Sequence, residues 1–341
     1  MQRREFLAWS GATLACAALG GTFPSRLSGM RLAAANARLA SDPAPAGAVE
    51  TATLASESAE VFAASRRFAD LPFGRIAYVE RGAGSVALFL HGAPLNGFQW
   101  RGAMARLAPY RRCIAPDFMG LGYSEVPEKQ GLAARDQAAM LVAFLDRLAI
   151  RDVDLVASDS GSAVAQLFLV QNPARVRTMI LTDGDVEPDS PPVKVKPAIE
   201  MARAGTLADA TALWLTDTAL ARSTFGAAVF RNPAGFADET IAMYVAPLVS
   251  SPLRRRQYHA FHLALEPNPL AGIEAALSRS QVPVRIVWGE SDDIFSMADA
   301  EYLDRIFPQS RGIRRVPGGK LFFPEEFPDL IAKEAKKLWG A

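Results

Sequence analysis

Histidine and cysteine are scarce in this chain, with 3 of the first and 2 of the second in 341 residues. That leaves too few soft ligands for a structural zinc site of the usual kind, and too few thiols for a disulfide-stapled scaffold. An excess of either charge is missing too: 37 Lys and Arg stand against 36 Asp and Glu, so there is no basic footprint for nucleic acid. No apolar run is long and unbroken enough for a stable membrane span. The compositional bias of disordered or collagen-like chains is equally absent. What is present is a chain that is half hydrophobic, long enough for one large domain or two ordinary ones and for a sizeable core.

The first residues do not read as fold. Arg3-Arg4-Glu5-Phe6-Leu7 precedes a weakly apolar stretch, Ala8 to Gly20, broken by Gly and Ser. This resembles a twin-arginine export signal, which carries folded proteins across a membrane, and small residues at Ala33-Ala34-Ala35 offer a cleavage site. The expectation is a signal in 1–35, the export machinery as a partner, and a periplasmic or secreted protein. Removing 1–35 takes away Cys16 and shifts the net charge from +1 to about −2, leaving Cys113 with no intrachain partner. From 36 to 64 the chain is rich in Ala, Ser and Pro without a period, and it reads as a flexible linker.

Beyond residue 65 strands and helices alternate. Arg75–Glu80, Val86–Leu90, Arg112–Ala115, Val153–Ala157, Met179–Thr182, Pro283–Trp288 and Gly312–Val316 read as strands, several of them continuously apolar. Gln99–Leu107, Leu132–Ala149, Ser162–Gln171, Met297–Phe307 and Glu325–Trp339 carry helical period. The pattern predicts an α/β protein with a mainly parallel, doubly wound sheet covered on both faces. Residues 185–269 break it, with helical signals at Ala198–Arg203, Leu207–Leu215 and Leu253–Leu265 and no buried strand. An inserted helical lid at 185–269 accounts for this, dividing a core of 65–184 and 270–341.

Chemistry in open α/β sheets sits at the carboxyl ends of the strands, and five turns there are informative. His91-Gly92-Ala93-Pro94 follows one strand and Asp117-Phe118-Met119-Gly120-Leu121-Gly122-Tyr123-Ser124 the next. Ser158-Asp159-Ser160-Gly161-Ser162 joins a strand to a helix. Trp288-Gly289-Glu290-Ser291-Asp292 and Pro317-Gly318-Gly319-Lys320-Leu321-Phe322 end the last two strands. A sharp strand-to-helix turn needs small residues two before and two after its central residue, and two registers satisfy this: Asp159, between Ala157 and Gly161, and Ser160, between Ser158 and Ser162. Strand length and Gly161 favour Asp159.

Together these turns resemble the α/β-hydrolase fold superfamily, in its haloalkane dehalogenase and epoxide hydrolase branch, over residues 66–340. The resemblance implies that Asp159 is a nucleophile forming an ester with the substrate, and that the backbone N–H groups of Ala93 and Ser160 are oxyanion donors. It implies that His91 orients its loop beside the substrate, and that Asp292, or Asp183 at the end of the preceding strand, orients a catalytic histidine. That histidine is missing. Matching the family's Gly-His-Phe and the Glu-Phe-Pro that follows it puts Leu321 in its place, with Lys320 alongside. Leucine has no proton to move, and an ordinary lysine is already protonated. The remaining histidines, His259 and His262, lie three apart on one helical face of the lid, so either could reach in from above as a displaced base. Tyr244 and Tyr258 stand as counterparts of the lid tyrosines that serve epoxide opening.

The resulting expectation is an exported hydrolase of a small, largely apolar substrate carrying an ester, lactone, epoxide or carbon–halogen bond, with no metal and no cofactor. Two alternatives stand beside it: a non-catalytic pseudo-hydrolase that binds a small ligand, and a serine esterase using Ser160.

Overall fold

The computed structural model describes residues 57–341. The export signal expected in 1–35 and most of the linker expected in 36–64 lie outside the described residues. The end of that linker is corrected. Ser58 caps a short helix, α1 (Ala59–Ala64), by accepting the Val61 N–H at 3.3 Å. Phe62 is buried, its ring 5.1 Å from that of Phe98. One aromatic anchor is enough to dock a segment whose Ala-rich composition shows no period.

Eight strands form one sheet: β1 (Arg67–Leu71), β2 (Gly74–Arg81), β3 (Val86–Leu90), β4 (Arg112–Pro116), β5 (Val153–Asp159), β6 (Val176–Gly184), β7 (Val284–Gly289) and β8 (Ser310–Val316). Their order is β1-β2-β4-β3-β5-β6-β7-β8. β1 and β2 pair antiparallel, as do β2 and β4, and all the others pair parallel. β1 was not anticipated: it is an edge strand in which Ala69 alone is buried, so it lacks the apolar signature of its neighbours. β3 is buried along its whole length, which requires cover on both faces. The cover comes from α2 (Arg101–Leu107), α3 (Ala134–Arg147), α4 (Ser160–Gln171), α9 (Met297–Ile306) and α10 (Pro328–Trp339), with α3 packed on α4 and α2 on α10.

From β3 the chain steps outward to β4 and then returns to the other side of β3 as β5. The connections therefore diverge between β3 and β5, and a crevice opens there at the strand ends. The turns after both strands face that crevice, Leu90 standing opposite Ala157 in the parallel pair.

Residues 185–269 form helices joined by turns, with no strand among the described residues apart from an isolated bridge between Val186 and Asp189. The main helices are α5 (Lys196–Arg203), α6 (Leu207–Ala212), α7 (Asp238–Val249) and α8 (Pro252–Leu263). Polar clamps hold this insert over the strand ends. Arg254 of α8 donates to the Gly122 carbonyl at 2.7 Å and the Ser124 carbonyl at 2.9 Å. Gln257 donates to the Val126 carbonyl at 2.9 Å, and Asn96 donates to the Met243 carbonyl of α7 at 2.9 Å. Because each buried carbonyl would otherwise lose its water partner, these clamps fix where the insert sits.

Candidate active site

The β5–α4 turn concentrates its strain in one residue. Asp159 has φ 55° and ψ −133°, a region that residues with a Cβ seldom occupy and that costs roughly 1–3 kcal/mol. Ser160 is already the first residue of α4, so the strained backbone of the turn belongs to Asp159. The turn also requires close backbone approach. A Cβ on Gly92 would lie 2.4 Å from the Asp159 Cβ and 2.8 Å from the Phe322 ring, so only glycine lets the β3 loop reach the aspartate.

That approach brings the amides of Ser160 and Ala93 onto the Asp159 carboxylate. Burial pushes this carboxyl up to about 6, against the pull of the Ser160 amide and hydroxyl and the Ala93 amide.

His91 is removed from the substrate side. It is fully buried, its Nδ1 is 2.9 Å from the Gly92 carbonyl, and its Nε2 accepts the Phe118 N–H at 2.9 Å. The imidazole is thus the neutral Nδ1–H form, and burial lowers its affinity for a second proton. Both nitrogens are spent on joining the β3 loop to the β4 loop. His91 thus has the structural, loop-orienting place the resemblance implies; its expected contact with substrate is corrected, since it does not line the cavity.

An enclosed, largely apolar cavity lies over Asp159, lined by Ala93, Ser160, Trp214, Phe225, Phe295 and Leu321 among others. Leu321 stands at its wall. Lys320 points away and donates its ammonium to the Ala227 carbonyl of the insert.

The two lid histidines part company. His259 Nε2 accepts the Ala208 N–H at 2.9 Å, capping the start of α6 outside the cavity, which corrects its assignment as a base. His262 is buried and lines the cavity. Its Nδ1 is 3.0 Å from the Tyr258 carbonyl one turn earlier, and its Nε2 has no partner among the described residues. Burial pushes it down to about 4, so it is a neutral imidazole at ordinary pH. The tyrosines divide in the same way. Tyr258 lines the cavity, with its hydroxyl 3.3 Å from Thr211 Oγ1, whereas Tyr244 lies outside it and donates to Glu325 at 2.7 Å. Tyr244 therefore belongs to the packing between insert and core.

The acids expected to orient a histidine do not line the cavity. Asp183 accepts the Gly289 N–H at 2.8 Å through one oxygen; the other is buried without a partner. Asp292 accepts the Ile294 and Phe295 amides at 2.9 and 3.4 Å. Burial drives Asp183 well above the ordinary carboxyl range, and the charge of Asp292 adds to it. Burial likewise pushes Asp292 up to about 7. A third acid was missed at the sequence level. Asp185, next to the end of β6, lines the cavity together with Asp159, and burial pushes it up to about 7. The signal was present, since Asp183-Gly184-Asp185 puts a second carboxyl two residues past one already singled out.

Comparison with known proteins agrees with this geometry. The family profile of the alpha/beta hydrolase fold matches residues 87–327. A soluble epoxide hydrolase of Corynebacterium sp. is 30% identical over 282 residues, covering 78% of this chain and 94% of that protein. Haloalkane dehalogenase 2 of Mycobacterium tuberculosis is 25% identical over 299 residues, covering 80% of this chain and 94% of that one. A haloalkane dehalogenase of Mesorhizobium japonicum is 46% identical over 102 residues, a match to 30% of this chain and 33% of that protein. Among solved structures, an epoxide hydrolase without ligand superposes with TM-score 0.68 at 26% identity, over 81% of this chain and 98% of its own. The haloalkane dehalogenase DbeA from Bradyrhizobium elkani superposes with TM-score 0.66 at 26% identity, over 81% and 98%. The chain belongs to the α/β-hydrolase fold family, in its haloalkane dehalogenase and epoxide hydrolase-like branch. This membership supports a hydrolytic function.

The buried acids make stability depend on pH. Asp159, Asp185 and Asp292 titrate higher in the fold than in the unfolded chain, so the folded state holds more protons between about pH 4 and about pH 7. Stability should therefore fall as pH rises through that window. Asp183→Asn, which removes one of two neighbouring buried carboxyls and supplies an N–H₂ donor, should raise Tm by several degrees at about pH 8 and by little at about pH 5. Calorimetric melts of both proteins across this range check it; a lower Tm for the variant at pH 8 would contradict it.

Proposed function

We propose that the chain hydrolyses a small, largely apolar substrate with an electrophilic carbon, using Asp159 as nucleophile and His262 as a base carried by the insert. One observation carries the reading: the strained residue at the head of α4 is an aspartate whose carboxylate faces the cavity and receives the Ala93 and Ser160 amides. The Ser160 amide sits on Oδ1 and the Ala93 amide on the same carboxylate; in this reading Oδ1 is the amide-held oxygen, and Oδ2 attacks carbon and forms an ester. When water then adds to the Asp159 carbonyl carbon, the amide-held oxygen becomes the oxyanion, and the same donors stabilise it.

Water needs a base, and Leu321 supplies none. His262 is the imidazole in the cavity with an open nitrogen. The Tyr258 carbonyl holds its Nδ1–H, so Nε2 is the acceptor, and a backbone carbonyl does the orienting that a carboxylate does elsewhere in the family. Leu321 and the walled-off Asp183 and Asp292 support a second reading, in which the cavity binds a small ligand without turnover.

The two readings separate cleanly. Hydrolysis predicts that His262→Gln lowers kcat by about 10²- to 10⁴-fold, with a stoichiometric adduct on Asp159 detectable by mass spectrometry. It also predicts that Asp159→Asn gives neither turnover nor adduct, and that wild-type rate falls as pH drops through about 6, where Asp159 takes a proton. Turnover in Asp159→Asn at the wild-type rate would sink the proposal, and ligand binding without turnover in the wild-type chain would favour the second reading.

Export is proposed on the strength of Arg3 and Arg4 with the apolar stretch after them. Replacing both arginines by lysine should leave the protein in the cytoplasmic fraction of its host, whereas the wild-type chain should appear outside it. An unchanged distribution would contradict export by this route.

A further inference from the structure

Of the four acids around the site, Asp159 and Asp185 line the cavity and the buried Asp183 and Asp292 do not. Asp185 is placed by the sheet. Gly184, just before it, is the β6 residue paired with Asp159 of β5, and adjacent strands lie about 4.8 Å apart. The two carboxyls therefore rise from neighbouring strand ends into one apolar space. Ser190 Oγ donates to Asp185 Oδ1 at 2.6 Å, and Gln166 of α4 fixes its backbone by donating to the Asp185 carbonyl at 2.8 Å. Among the described residues, none but Asp185 itself hydrogen-bonds to Oδ2. Asp185 and Ser160 also border a second, much smaller apolar void beside Leu132, Val164 and Phe261.

Lys194 is the cation among the residues lining the main cavity, and it is engaged with Asp293. Among the described residues the cavity thus holds two carboxyls and no free cation to neutralise both. Resting on the hydrolase reading above, we propose that Asp185 is the proton donor to the leaving group, so that the site favours substrates whose leaving atom is an oxygen over those that release a halide.

The step balances. The Asp159 carboxylate forms a C–O bond to the substrate carbon as the bond from that carbon to the leaving oxygen breaks, and the Asp185 proton passes to that oxygen. Water then adds to the Asp159 carbonyl carbon, with its proton taken by His262. Collapse releases the alcohol, which keeps one proton of the water; the other returns through His262 to Asp185. The starting state needs Asp159 ionised and Asp185 protonated, which is how the pair shares one proton when burial holds Asp159 at about 6 and Asp185 at about 7. The charged and titratable groups facing Asp185 are Asp159 from the elbow, Asp189 in its own turn, Lys194 at the start of the insert and His262 on α8. Tyr258 is the other hydroxyl acid in the cavity, and its O–H is engaged with Thr211.

The test uses the full chain and its Asp185→Asn, Asp185→Glu, Ser190→Ala and Tyr258→Phe variants. The probes are styrene oxide, whose ring oxygen needs a proton, and phenethyl bromide, whose bromide does not, read from about pH 5 to about pH 9. Asp185→Asn should lower kcat on the epoxide by about 10²-fold, a loss at least about 30-fold larger than that on the bromide, and should abolish the fall in rate above about pH 7. Asp185→Glu should restore part of the rate. Ser190→Ala removes a hydrogen bond that favours the ionised form and should move that alkaline limb to higher pH; this variant keeps the proposal testable if Asp185→Asn fails to fold. Equal losses on both probes, an alkaline limb untouched in Asp185→Asn and Ser190→Ala, or a limb lost in Tyr258→Phe instead would overturn the assignment while leaving the nucleophile reading intact. Wild-type turnover of the bromide alone would do the same. No turnover of either probe would overturn both.

Discussion

Asp159 occupies a backbone conformation that an aspartate adopts only under constraint, and much of the chain is arranged to hold it there. The constraint begins in topology. β3 and β5 are neighbours whose connections leave in opposite directions, so their following turns converge over one crevice. Gly92 then lets the β3 loop come within contact of the Asp159 side chain, and His91 locks that loop to the β4 turn with both of its nitrogens. The local strain is small against the burial of the surrounding strands, and it turns a carboxylate toward the cavity with two amides upon it.

The same arrangement explains the electrostatics. A site walled by Trp214, Phe225, Phe295 and Leu321 disfavours charge, so each carboxyl in or behind it rises above its ordinary range. The family resemblance implies a histidine set against one such acid. In this chain the corresponding place holds Leu321, and Asp183 and Asp292 are left adjacent to one another, shut away from the cavity. The imidazole that does face the cavity comes from α8 and is oriented by a carbonyl. The proposed chemistry follows from this displacement: base from the insert, proton donor from the end of β6.

Much of the fold was legible in the sequence because buried parallel strands are continuously apolar and their helices amphipathic. β3 and β5 needed nothing further. β1 was missed because an edge strand buries too little to show a pattern, and α1 because six Ala-rich residues around one phenylalanine carry no period. The strained turn at Asp159, the His91-Gly92 loop that approaches it and the leucine at 321 were legible as residue types at fixed positions. The fates of His259 and His262 were not. Three residues apart, they share a helical face in sequence terms, yet one reaches sideways to cap α6 and the other dips into the cavity. Such a choice depends on what the neighbouring helices present. Asp185 was overlooked for a related reason, since a carboxyl past a strand end reads as solvated until the insert is seen to cover it.

The central claim is that Asp159 forms the covalent bond, and isotopic water tests it most directly. In a single turnover with enzyme in excess and water enriched in heavy oxygen, the account predicts one heavy atom in the peptide carrying Asp159 and unlabelled product. Heavy oxygen in the product with none in that peptide would contradict it.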